Sequence, residues 1–133
     1  MSEYVYIIAW SPRGPTKIGR AAKPIDRLFG LQTACPYRLR IYSAVRTLDA
    51  GGLEAAAHAK LQNQALLGEW FKCSPSQAKA VINALIESLS LRAEPWRPSK
   101  AEIQRRQHQL NGTRPSLMRA RAALSELTYW RAD

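Results

Sequence analysis

The sequence predicts a mixed α/β (α+β) fold: a small sheet of three strands flanked by helices, followed by a basic helical C-terminal extension. Three observations carry that expectation. Apolar runs rich in Val, Ile and Tyr surround the turn-forming Ser11-Pro12-Arg13-Gly14-Pro15, as a two-stranded ribbon requires. Further on, apolar and alanine-rich stretches repeat at helical spacing. At Arg92 to Pro98 the composition shifts, and the two prolines there read as a linker between residues 1–91 and 92–133.

In the first strand Tyr4, Tyr6 and Ile8 fall on one face and Val5, Ile7 and Ala9 on the other, because strand side chains alternate. Both faces are apolar, which places this strand at the centre of the sheet. Thr16 to Gly19 makes its partner, with Gly19 marking a close approach or a need for backbone freedom. Pro24 suits the first position of a helix, where a missing N–H costs nothing, and Ile25, Leu28, Leu31 and Gln32 form its inward stripe, leaving Arg27 towards the edge. Thr33 to Pro36 ends that helix. Arg38 to Leu48 alternates imperfectly and reads as the third strand. Asp49-Ala50-Gly51-Gly52 reads as a turn into an alanine-rich helix, Leu53 to Leu66, that Gly68 terminates. Glu69 to Lys72 is a short extended piece. Ser74-Pro75-Ser76-Gln77 opens a helix running to Leu89. Beyond the linker, Ser99 to Glu102 starts a polar helix through Leu110, Asn111-Gly112 is a turn, and Ser116 to Trp130 is a last helical stretch.

Composition limits the function classes. With 133 residues the chain can bury one modest core. Its net charge of +10, from 20 Lys+Arg against 10 Asp+Glu, draws polyanions, and nucleic acid is the expected partner. No apolar run approaches the roughly 20 residues of a membrane-spanning helix, and Met1-Ser2-Glu3 does not open a signal peptide, so a cytoplasmic location is expected. Cys35 and Cys73 stand apart without zinc-site spacing.

The ordered series Tyr4-Val5-Tyr6, Lys17-Ile18-Gly19-Arg20, Pro24 to Thr33 with Arg27, Glu54 with His58, and Gly68-Glu69-Trp70-Phe71 resembles the GIY-YIG nuclease superfamily, in its phage- and bacterium-associated branch, over roughly residues 3 to 90. Tyr4 and Lys17 depart from the usual glycine and tyrosine. The resemblance implies a three-stranded antiparallel sheet and a metal-dependent DNA endonuclease. It implies Tyr6 beside the attacking water, Lys17 orienting that water or lowering the pKa of the tyrosine, and Arg27 neutralising the phosphate. Glu54 would hold Mg²⁺ or Mn²⁺, and His58, on the same helix face, would contact phosphate or water. Glu69 reads as a structural partner in its turn, with a second acidic contact to the metal as the alternative.

Candidate nucleic-acid contacts are Arg20, Arg38 and Arg40, and in the extension Arg97, Arg105, Arg106, Arg119 and Arg121. From Arg92 onward nine Lys/Arg face four acids, half of the net charge, which suits sequence-independent phosphate binding. The partner is expected to be DNA, with RNA open. The rival reading is a nucleic-acid-binding module without catalysis on the same scaffold.

Overall fold

The structure of the protein, a computed structural model, describes residues 3–109. The Asn111-Gly112 turn, the helix expected over Ser116 to Trp130, and with it Arg119 and Arg121, lie outside the described residues.

The elements run β1 (Glu3–Ala9), β2 (Thr16–Ala21), α1 (Pro24–Gln32), β3 (Arg40–Thr47), α2 (Ala50–Lys60), β4 (Trp70–Phe71), α3 (Pro75–Ser88), β5 (Ala93–Pro95) and α4 (Lys100–Gln109). They build one antiparallel sheet in the order β4-β2-β1-β3-β5. The expected β2-β1-β3 unit is its centre. The sheet nevertheless has five strands rather than three, because two short segments that carry no readable alternation add to its edges.

Alternation along β1 divides the core. Val5 and Ile7 face α2 and α3 together with Ile18, Leu53, Ala57 and Ile82. Tyr6 and Ile8 face the other layer, with Ile25 and Leu28 of α1. A β-bulge explains the irregular pattern of β3: Ile7 pairs with Ser43 but Ile8 with Ile41, so the extra residue Tyr42 reverses the alternation partway.

Two expectations change here. Helix α2 starts at Ala50 instead of after Gly52, since the Asp49 side chain caps it by accepting from the Gly52 N–H at 3.1 Å. It also ends at Lys60, not Leu66; a single 3₁₀ turn over Gln62–Gln64 follows, and Ala65 then bridges to Phe71. Gly68, with φ of +60°, is therefore the pivot of a tight turn and not a helix terminator.

The stretch expected as a linker is built into the fold. β5 pairs with β3, Arg46 ion-pairs with Glu94, and the Trp96 N–H donates to the Ala44 carbonyl at 2.8 Å. Trp96 and Ile103 are buried in the α1-side core with Tyr6 and Ile8. An indole is large enough to close that face, which outweighs the flexibility suggested by Pro95 and Pro98.

Candidate active site at the edge of the second strand

The site forms because β4 is too short to cover β2. Only Thr16 and Lys17 pair with it, and Ile18 donates its N–H to the Glu69 carbonyl at 3.1 Å. Tyr6 pairs across from Gly19, so its ring lies on the face where Gly19 has no side chain. A Cβ on Gly19 would stand 2.5 Å from Tyr6 Cζ, nearer still to the hydroxyl, and 3.0 Å from Glu69 Oε2. Gly19 is the gap through which the phenol of a 1 % exposed tyrosine reaches the edge of the sheet.

From the opposite layer, α2 brings Glu54 and His58 to the same edge, four residues apart and so on one helix face. The His58 ring packs on Phe71 with centroids 5.1 Å apart, and its Nε2 lies 2.9 Å from the Ile18 carbonyl oxygen. A carbonyl only accepts, so Nε2 carries a proton, and in the neutral ring Nδ1 keeps its lone pair. The turn at Gly68 then delivers Glu69. One ligating atom from each of Glu54, His58 and Glu69 lies within 4.8 Å of the others. Lys17, 8 % exposed, holds its ammonium 3.6 Å from Glu69 Oε1.

Charge and burial act on these groups together. Burial pushes the Tyr6 phenol up to about 12; Arg27 works against that shift, while Glu69 and Glu54 add to it. At neutral pH the phenol is therefore protonated. The expectation that Lys17 lowers the pKa of the tyrosine is thus not met: Arg27 is the cation that opposes the rise, and burial outweighs it. The Glu54 carboxyl is also raised, first by burial and then by Glu69, against the charges of His58, Arg20 and Lys17.

Tyr6, Lys17, Glu54 and His58 therefore meet at one edge, and Arg27 acts on Tyr6 from the exposed side of α1. Arg20 lies beside them, exposed, ion-paired to Glu3 at 3.6 Å and acting on Glu54. With Lys23 and Arg27 it lines a groove of about 650 Å³. Arg38 and Arg40 lie just before and at the start of β3, on the other side of β1, and Arg97 follows β5 at the opposite edge; the structure does not bring these three to the site. Arg105 and Arg106 are on α4. Glu69, read from the sequence first as a structural partner in its turn and otherwise as a second acidic contact, stands beside Glu54 and His58 here. Its signal was a glutamate directly after a glycine and directly before the segment that pairs with Lys17.

The family model that matches this chain is the T5orf172 domain, over residues 3–86. The chain belongs to the T5orf172 domain family. The GIY-YIG assignment suggested by the motifs is corrected by this match. Tyr4 and Lys17, which depart from the GIY-YIG pattern, fall in the two stretches that give that superfamily its name, leaving too few shared positions to decide membership. The T5orf172 domain is phage-associated and nucleic-acid-related. Its matched span includes Tyr6, Lys17, Arg27, Glu54, His58 and Glu69. Neither the comparison with curated proteins nor that with solved structures gave a match. Among the described residues, no helix of this T5orf172 chain is long and apolar enough to cross a membrane.

Proposed function

We propose that this T5orf172 domain hydrolyses phosphodiester bonds in nucleic acid, with DNA as the expected substrate, at the edge of β2. The observation that carries the reading is the meeting of Glu54, His58 and Glu69 with the buried Lys17 and the Tyr6 hydroxyl, side chains drawn from three separate elements and a turn. A fold has no stability reason to set Glu54 against Glu69, since the Glu69 charge raises the cost of burying Glu54. Such a pair suits a cation.

Phosphodiester hydrolysis needs a placed water, positive charge at the phosphate oxygens, and stabilisation of the departing oxygen. Arg27 from α1 and Arg20 from the end of β2 supply charge beside the groove of about 650 Å³ that they line. Tyr6, protonated at neutral pH, orients the water by hydrogen bonding instead of serving as a standing base. Lys17 holds Glu69 in place and keeps a second positive charge at the same edge. The donor set fits a divalent ion such as Mg²⁺ or Mn²⁺ on Glu54 and Glu69. When bound, it would neutralise a phosphate oxygen and stabilise the leaving oxygen.

Incubation of the purified chain with plasmid, single-stranded DNA and RNA, with Mg²⁺, Mn²⁺ or chelator, tests the reading. Metal-dependent cleavage that falls by about 10² or more in Arg27→Ala supports it. Binding without cleavage under any ion would promote the non-catalytic module.

A further inference from the structure

We propose that the ion at this edge is a first-row transition ion such as Mn²⁺, in preference to Mg²⁺, and that the Nδ1 of His58 ligates it together with one oxygen each from Glu54 and Glu69. The inference rests on reading the site as metal-bearing, but names the ligand that decides which metal.

The argument starts from the proton on His58. Its Nε2–H donates to the Ile18 carbonyl, a backbone group fixed in β2, which pairs on one side with β1 and on the other with β4. That bond fixes both the tautomer and the tilt of the ring, and Phe71 packs against the ring. A metal-ligating histidine ordinarily has this support: one nitrogen bound to a backbone carbonyl or carboxylate, the other turned to the ion. Glu54 and Glu69 each offer an oxygen within 4.8 Å of a ring nitrogen of His58 and of each other, and with Nε2 spent on the Ile18 carbonyl, Nδ1 is the nitrogen left to ligate. Glu54, one helical turn before His58, holds its position by helix geometry, and Glu69 is held by the Gly68 turn and by Lys17.

The donor set then sets the preference. Mg²⁺ takes oxygen ligands and keeps several waters, so an imidazole adds nothing for it. Mn²⁺, Co²⁺ and their heavier neighbours accept imidazole nitrogen beside carboxylate oxygen, with affinity rising along the series. Two carboxylates and one neutral imidazole therefore favour the transition ions over Mg²⁺.

The test uses the metal-stripped full chain without nucleic acid, titrated calorimetrically with Mn²⁺, Co²⁺ and Mg²⁺, with Co²⁺ absorption as a report on nitrogen ligation. The wild type should bind Mn²⁺ at one site, about tenfold or more tighter than Mg²⁺. In His58→Ala, Mn²⁺ affinity should fall about tenfold or more while Mg²⁺ affinity changes by less than about threefold. Should that variant fail to fold, imidazole NMR of the wild type replaces it: substoichiometric Mn²⁺ should broaden the His58 signals before those of His108, the other histidine of the chain. Equal affinities for Mn²⁺ and Mg²⁺, no binding of either, unchanged Mn²⁺ binding in His58→Ala, or His58 signals that stay sharp with bound Mn²⁺ would each overturn the inference. Selective binding through His58 in a chain that cleaves nothing would instead sink the hydrolase reading and leave this one standing. Cleavage with Mg²⁺ and no part for His58 would do the reverse.

Discussion

Gly19→Ala isolates the feature on which the site geometry depends. The backbone at Gly19 is ordinary for a strand residue, so the substitution introduces no strain in φ; the whole effect comes from the space a Cβ would occupy. That carbon would stand 2.5 Å from Tyr6 Cζ, where carbon atoms settle at about 3.5–4.0 Å, an overlap of about 1 Å. Glu69 Oε2, at 3.0 Å, crowds the same space. Tyr6 is 1 % exposed and packed among Ile8, Ile25, Leu28 and Trp96, so the ring cannot swing into solvent and must shift by about the overlap within the core. Overpacking of this kind costs about 1–3 kcal/mol. A displacement of about 1 Å at a catalytic group costs about 10² in rate. The assay is thermal unfolding beside cleavage of plasmid DNA. Gly19→Ala should melt lower and cleave about 10² more slowly, with Glu69→Gln melting near wild type. A Gly19→Ala protein with wild-type melting and wild-type cleavage would refute the claim that Tyr6 reaches the edge through Gly19.

Other expectations follow from burial and charge. Because the folded Tyr6 phenol is raised from 10.0 to about 12, its contribution to stability is fully present below pH 10 and is lost as pH rises through about 12; the wild type should lose more stability across that window than Tyr6→Phe, read by denaturant titration at each pH. Glu54 is likewise raised from 4.5, so its charged form opposes folding above that pH, and Glu54→Gln should raise the melting temperature at pH 7 in chelator while abolishing the stabilisation that divalent ions give the wild type. Truncation after residue 91 removes Trp96 and Ile103 from the core, so a chain ending there should lose its near-ultraviolet circular dichroism, and Trp96→Ala alone should cost about 3–5 kcal/mol.

Much of this architecture is legible in the residues. The two apolar faces of β1, the turn around Gly14, Pro24 at the start of α1 and the Ser74–Gln77 capping box each act locally, so local pattern finds them. β4 was legible only as an extended piece and β5 not at all, since two or three residues show no period and their pairing depends on neighbours distant in sequence. Trp96 was hidden for the same reason: nothing beside it shows that an indole closes the α1 face. Within the site, Tyr6, Lys17, Arg27, Glu54 and His58 stand out by order and spacing. Glu69 stands in the same ordered series, but its residue type leaves a structural partner and a site carboxylate both open, and only the fold around the Gly68 turn sets it beside Glu54. The family correction has a similar cause, as short motifs of common residues overlap between families and the match over residues 3–86 weighs the whole domain.

The most direct test of the central claim is cleavage of plasmid and single-stranded nucleic acid by the purified wild type and by Glu54→Ala, each across a Mn²⁺ and Mg²⁺ titration with chelator controls. The account predicts cleavage that requires a divalent ion and disappears in Glu54→Ala. Undiminished cleavage by Glu54→Ala, or none by the wild type with any divalent ion, would contradict it.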